Sequence, residues 1–184
     1  MDIFSAFGLS ASAGLNAYIP LLVVALLARF THLVHLQSPW DALANPWVIA
    51  LLMLLAGIEF FADKIPAINH LNDLIQTVVR PVAGAIVFAA NAHTVTQVHP
   101  ALALAAGLLV AGSVHTVKAA AVRPALTVTT GGAANIPASI AEDLLSTALS
   151  ILSVVIPVLV AAIVILLTSL AVYLLWRRAR RQRI

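Results

Sequence analysis

Long apolar stretches separated by short polar interruptions run through nearly the whole chain. A membrane-crossing helix needs about 20 mostly apolar residues, and six stretches read that way: 15–33, 46–62, 81–98, 100–117, 136–152 and 155–176. Pro46 suits a first helical turn, where its missing N–H would be unpaired anyway. Trp40 and Trp47 suit a membrane–water boundary, and Pro157 marks the turn, or a kink, between the last two spans. The segment 65–79 differs. Ile68, Leu71, Leu74, Ile75 and Val78 recur at helical spacing, with Asn69, Asn72, Asp73 and Gln76 between them, which predicts an amphipathic helix lying at the interface. The predicted fold class is all-α, a polytopic transmembrane helical bundle of about six spans. Five would result if the third segment were re-entrant or the last third crossed once.

Composition strengthens this reading. Of 184 residues, 62% are hydrophobic and 9% charged, against about 25% charged in a soluble domain. So few polar groups cannot cover a water-facing surface, so the outside is expected to face lipid. The length allows one domain, 1–176, followed by a basic tail, 177–184. With no cysteine, disulfides, thiolate metal sites and cysteine nucleophiles are excluded. Met1-Asp2 has no basic start, so a cleavable signal peptide is not expected.

The net charge of +3 is concentrated: five of the ten Lys and Arg residues are Arg177, Arg178, Arg180, Arg181 and Arg183. A basic tail directly after an apolar run sets topology and contacts anionic lipid headgroups. It lacks the aromatic or glycine pattern of a nucleic-acid binder. Lys64 and Arg80 follow the second span and Lys118 and Arg123 the fourth, while 93–99 has neither Lys nor Arg. The positive-inside rule then puts both termini in the cytoplasm, with Arg29 as an exception that snorkels outward.

Two internal echoes stand out. Pro46 precedes Lys64 by the interval that separates Pro100 from Lys118, and Arg80-Pro81 and Arg123-Pro124 follow. This points to a repeat of 46–97 in 100–153. More locally, Gly14-Leu15-Asn16-Ala17-Tyr18-Ile19-Pro20 echoes Gly131-Gly132-Ala133-Ala134-Asn135-Ile136-Pro137. Glycine and proline both weaken a helix. Gly14, Pro20, Gly131, Gly132 and Pro137 therefore mark either broken helices, whose exposed backbone dipoles hold ions or substrates in transporters, or plain helix starts.

Ionisable groups within spans are costly, so each is a functional candidate. Glu59 and Asp63, four apart, share a helix face, with Lys64 next to them and Arg80 or Lys118 as alternative partners. Glu142 and Asp143 form a second acidic site. If the hairpins pack together, the four carboxylates meet around a polar cavity, able to exchange a proton or bind a hard cation through oxygen. The alternative is headgroup-level positions or structural ion pairs. Among the histidines, His32, His35, His93 and His99 form no site, and His115, inside the fourth span, is the one to test. Ser139 followed by Glu142 fits a capping box. No Walker, Rossmann or H-E-x-x-H pattern is present, and no metal or cofactor is expected.

The run Gly57-Ile58-Glu59-Phe60-Phe61-Ala62-Asp63-Lys64-Ile65-Pro66, followed by Arg80-Pro81 and Gly84-Ala85, resembles a bacterial membrane family, domain of unknown function family 4126. The segments at Gly14–Pro20 and Gly131-Gly132 resemble it too. The resemblance implies a multi-span membrane protein and supplies no activity; the expected location is the bacterial inner membrane. The residues themselves lead to a small channel or transporter for an ion or small solute, its polar site built from Asn16, Glu59, Asp63, Lys64, Asn135, Glu142 and Asp143. A chain this small is expected to form a homo-oligomer to enclose a pathway. The alternative is a non-transporting scaffold binding a partner protein or anionic lipid, and an intramembrane enzyme comes third.

Overall fold

A computed structural model of the chain describes residues 3–64, 66–92 and 98–181. Among the described residues the regular structure is entirely helical. The helices are α1 (Ile3–Leu15), α2 (Tyr18–Phe30), α3 (Pro46–Ala62), α4 (Pro66–Ala92), α5 (Pro100–Val117), α6 (Arg123–Thr130), α7 (Asn135–Val155) and α8 (Pro157–Arg181). Local chemistry explains several of their ends. The Asn45 side chain accepts from the Trp47 N–H at 2.9 Å and Pro46 opens α3. The His99 ring accepts from the Ala101 N–H ahead of Pro100. Pro157 opens α8 after a break at Ile156.

Three sequence expectations are corrected. The stretch 15–33 is not one span, because the chain is helical from Ile3 and breaks at Asn16-Ala17, leaving two helices of 13 residues. At about 1.5 Å per residue neither alone covers a 30 Å hydrocarbon core. The interfacial helix and third span are a single helix, α4, which continues through Pro81. The fourth span does not stop at Lys118. A π-turn over Lys118–Val122 joins α5 to α6, so the rod runs from Pro100 to Thr130. Helical stretches long and apolar enough to cross a membrane are Leu74–Asn91, Pro100–Thr130 and Asn135–Val155, while Ile3–Leu15, Tyr18–Phe30 and Pro46–Ala62 are apolar but shorter.

The bundle is built around α1, which packs against α4, α5, α7 and α8. Its run from Ser5 to Gly14 is small apart from Phe7 and Leu9 and almost wholly buried, with Ser10, Ser12 and Ala13 at 0% exposure. Small side chains let backbones approach closely, the main source of helix association where no hydrophobic force acts between helices. The Ser10 hydroxyl lies 2.8 Å from the Gly107 carbonyl and 3.2 Å from that of Gly84. The Ser12 hydroxyl meets those of Ser146 and Ser150 on α7 at 2.8 and 2.7 Å.

Polarity is inverted relative to a water-soluble bundle. On α4, Asn72, Gln76 and Arg80 are buried, whereas Leu74 and Val78 are 69% and 65% exposed. At the described positions the amphipathic pattern is thus used inside out, Asn72 and Gln76 turned to the bundle and Leu74, Ile75 and Val78 outward, while the side chains of Ile68, Asn69, Leu71 and Asp73 lie outside the described residues.

The α4–α5 contact gives a packing test. A Cβ added at Gly107 would sit 2.6 Å from Phe88 Cβ and 2.7 Å from Ala85 Cα, whereas one at Gly57 meets nothing within 4 Å. Gly107→Ala is expected to destabilise the fold by about 1–3 kcal/mol through overpacking, with Gly57→Ala near neutral. Thermal unfolding in detergent micelles reads both, and an unshifted midpoint for Gly107→Ala would contradict the contact.

Candidate functional site

The polar stripes of four elements meet beside the break between α1 and α2. From the end of α3 come Glu59 and Asp63, and from α4 Asn72, Gln76 and Arg80. His115 and Lys118 extend the buried stripe Ala103, Gly107, Ala111 of α5. Ser139, Glu142 and Asp143 project from α7.

Charge pairing holds these groups. Arg80, fully buried, reaches Glu59 Oε1 through Nη2 at 2.9 Å and lies 3.7 Å from Asp63. Arg123 bridges Asp63 at 3.3 Å and Glu142 at 3.4 Å. Lys118 meets Glu142 at 2.6 Å, and Lys64 meets Asp143 at 3.4 Å. Among the described residues four carboxylates therefore face four cations, and their formal charges cancel. Burying charge is tolerated only with such pairing and with further hydrogen bonds. Those bonds are supplied by Ser139 and Asn72 to Asp63 and by Asn16 Nδ2 to Asp143 at 2.9 Å. His115 lies 3.3 Å from both Arg80 Nη1 and the Thr77 hydroxyl.

Backbone geometry places two of the cations. In a regular α-helix residues 118 and 123 point roughly 140° apart. The π-turn bonds the Arg123 N–H to the Lys118 carbonyl, an i→i+5 spacing that stacks the two side chains on one face. Such single π-turns inside α-helices are frequent at functional sites. The helix break contributes as well. Asn16 Oδ1 accepts from the Tyr18 and Ile19 N–H groups, capping α2. Lys118 Nζ donates to the Leu15 carbonyl, at the negative end of α1.

Three buried polar atoms in this cluster, Glu59 Oε2, Gln76 Oε1 and Arg80 Nε, have no hydrogen-bond partner among the described residues. Buried polar groups are nearly always satisfied, and exceptions call for a ligand, a water or a function.

Of the residues singled out in the sequence, Asn16, Glu59, Asp63, Lys64, Glu142 and Asp143 come together here. Asn135 does not. It opens α7 and bonds to Thr127 at the exposed end of α6. Gly131 and Gly132 adopt positive φ of 61° and 89° and form the turn between α6 and α7, a left-handed helix end of the kind glycine favours. Pro137 and Pro20 both fall in first helical turns. Gly14 lies inside α1, where an added Cβ would come 2.6 Å from the Ala111 carbonyl, so it serves close packing. Ser139 is inside α7 rather than at its cap and bonds Asp63, which displaces the capping-box reading. Among the described residues no group of three or more His, Cys, Asp or Glu is placed to hold a metal ion. Arg177 is exposed near the end of α8. Arg183, the side chains of Arg178, Arg180 and Arg181, and His93 lie outside the described residues.

Arg80, Lys118, Arg123, His115 and Gln76 were not in the polar site assembled from sequence. The i, i+4, i+8 spacing of Asn72, Gln76 and Arg80 was the available signal, once the polar face of α4 is turned inward. The chain matches the family described as Domain of unknown function (DUF4126) over residues 3–177 and belongs to it. No curated protein and no solved structure matches the chain.

Removing one partner of a buried ion pair costs about 3–5 kcal/mol, whereas a partly exposed pair contributes less than about 1 kcal/mol. Arg80→Gln is therefore expected to lower stability severalfold more than Lys64→Gln, whose side chain is 16% exposed. Unfolding titrations in mixed micelles measure this, and equal losses would remove Arg80 from the centre of the network.

Proposed function

We propose that this member of the family is a small multi-pass transporter for an ion or small solute, with the buried charge network as its polar site. One observation carries the reading: eight ionisable side chains are gathered inside helices whose outer faces are apolar. In hydrocarbon such groups are expensive and mark substrate or proton pathways. The helix between Lys118 and Thr130 covers roughly 18 Å, so the cluster lies well below the end of that rod. The broken α1–α2 segment brings a helix C-terminus and a helix N-terminus to the same place, the arrangement by which discontinuous helices hold charged solutes.

In this proposal the chain crosses the bacterial inner membrane six times with both termini cytoplasmic, contacts anionic lipid through its arginine tail and works as a homo-oligomer. The second reading, a scaffold, is favoured by one feature: each of the eight charges already has an opposite partner, as suits a static network.

Flux separates the two. In proteoliposomes, net solute or ion flux is expected to fall at least tenfold in Glu59→Gln and in Glu142→Gln, and unchanged flux in both would sink the pathway. Because the chain has no cysteine, orientation is read by single-cysteine labelling. A cysteine at His99 should react with an impermeant maleimide from outside the cell and one at Arg177 only after lysis; the reverse pattern would overturn the topology.

A further inference from the structure

The Arg80–Glu59 pair is made with half of its available contacts. The guanidinium edge carrying Nε–H and Nη2–H is the fork that meets both oxygens of a carboxylate. Here Nη2 holds Glu59 Oε1 at 2.9 Å, while Nε and the second glutamate oxygen, Oε2, have no partner among the described residues. Gln76 Oε1, one turn before Arg80 on the same face of α4, is unpartnered as well. The three side chains are 0–2% exposed. The three side chains thus keep one donor and two acceptors in reserve at the most deeply buried point of the network.

From this we infer that the site binds a small, planar, monovalent oxyanion together with one proton, the proton on Glu59 Oε2 and the anion on the Nε–H/Nη2–H fork of Arg80, where it displaces the neutral Glu59 Oε1 from Nη2. The inference rests on the transport reading and names its substrate class. The charge count sets the stoichiometry. With four carboxylates facing four cations among the described residues, the formal charges cancel. When hydronium gives its proton to Oε2, an O–H bond forms on glutamate, one breaks on hydronium, and water remains. The carboxylate becomes a neutral acid, and Arg80 is left with excess positive charge. An uncompensated charge in a low-dielectric interior is costly. One monovalent anion restores neutrality, a divalent anion overshoots, and a planar oxyanion matches the fork. Release reverses these steps.

The groups around Glu59 are Arg80 on α4, Asp63 one turn on, His115 and Lys118 from α5 and the π-turn, and Tyr18 from α2. Arg123 and Glu142 lie beyond Asp63 and Lys118. Exchange of a proton on Lys118 for a metal cation would also conserve charge. Lys118, however, is engaged by Glu142 and the Leu15 carbonyl, whereas the atoms held in reserve belong to Glu59, Gln76 and Arg80.

Nitrate serves as the probe. Calorimetric titration of the full chain in detergent should show nitrate binding that tightens about tenfold per pH unit on acidification, as one proton per anion requires. Glu59→Gln, which mimics the protonated acid, should bind nitrate with no pH dependence. Arg80→Lys, which keeps the charge and loses the fork, should weaken binding at least tenfold. Thermal midpoints of the variants report whether each is folded. Absence of nitrate binding, a flat pH profile in the wild type, or a slope that persists in folded Glu59→Gln would each overturn the assignment. The same variants in proteoliposomes keep the two readings apart. Proton-coupled sodium or potassium flux without nitrate binding would leave transport standing and remove the anion. Proton-linked nitrate binding without any flux would leave the site standing and remove transport.

Discussion

Everything in this molecule is arranged around a guanidinium with no access to solvent. Arg80 is fully buried, and a lone charge in that position would be prohibitive. Glu59 answers it directly and Asp63 at longer range. Asp63 then draws Arg123, Arg123 draws Glu142, and Glu142 takes Lys118. The chain of pairs ties α3, α4, α5, α6 and α7 to one point, so the same interactions that satisfy one residue also fix the relative placement of five helices. Such a network is weak evidence for high stability, because desolvation offsets much of the Coulombic gain. Its effect is on which arrangement of apolar helices is permitted, since sliding any one of them would strand a charge.

Close approach makes the network possible. Long ionisable side chains can converge only if the backbones carrying them are near one another elsewhere, and the small residues of α1 provide that. Gly14 and Ser10 lie against α5, and Ser12 lies against the serines of α7. The serine hydroxyls bond backbone carbonyls or one another, so they add no unsatisfied group. Two features then meet at the same level. The break after Leu15 offers a carbonyl to Lys118 and an amide cap to Asn16, and the π-turn aligns Lys118 with Arg123. Neither feature needs an apolar driving force, consistent with a bundle whose outer face is itself apolar.

Much of this was legible in the residues. The all-helical class followed from the apolar runs, and Glu59 with Asp63 from their spacing of four. Glu142 and Asp143 were visible as acids in an apolar segment. Other parts were not. An amphipathic pattern does not say which face meets water, and on 65–79 the rule for soluble and interfacial helices pointed Gln76 the wrong way. The π-turn is invisible in Lys118–Val122, because an alanine-rich segment suits an α-helix equally well and the shift is set by what Lys118 and Arg123 reach. The central helix α1 was overlooked because Ser5, Ser10 and Ser12 dilute its apolar character, though small hydroxyl residues are what a tightly packed helix uses. Asn135 echoed Asn16 in sequence but found only Thr127, since the α6–α7 turn carries it away from the cluster.

The central claim is that Arg80 and Glu59 are one energetically coupled unit buried inside the bundle. A double-mutant cycle on unfolding free energy, with Glu59→Met, Arg80→Met and the two together in mixed micelles, tests it most directly. The account predicts that the double variant is less destabilised than the sum of the singles by at least about 2 kcal/mol, because removing both charges strands neither. Additive losses, within about 0.5 kcal/mol, would contradict it.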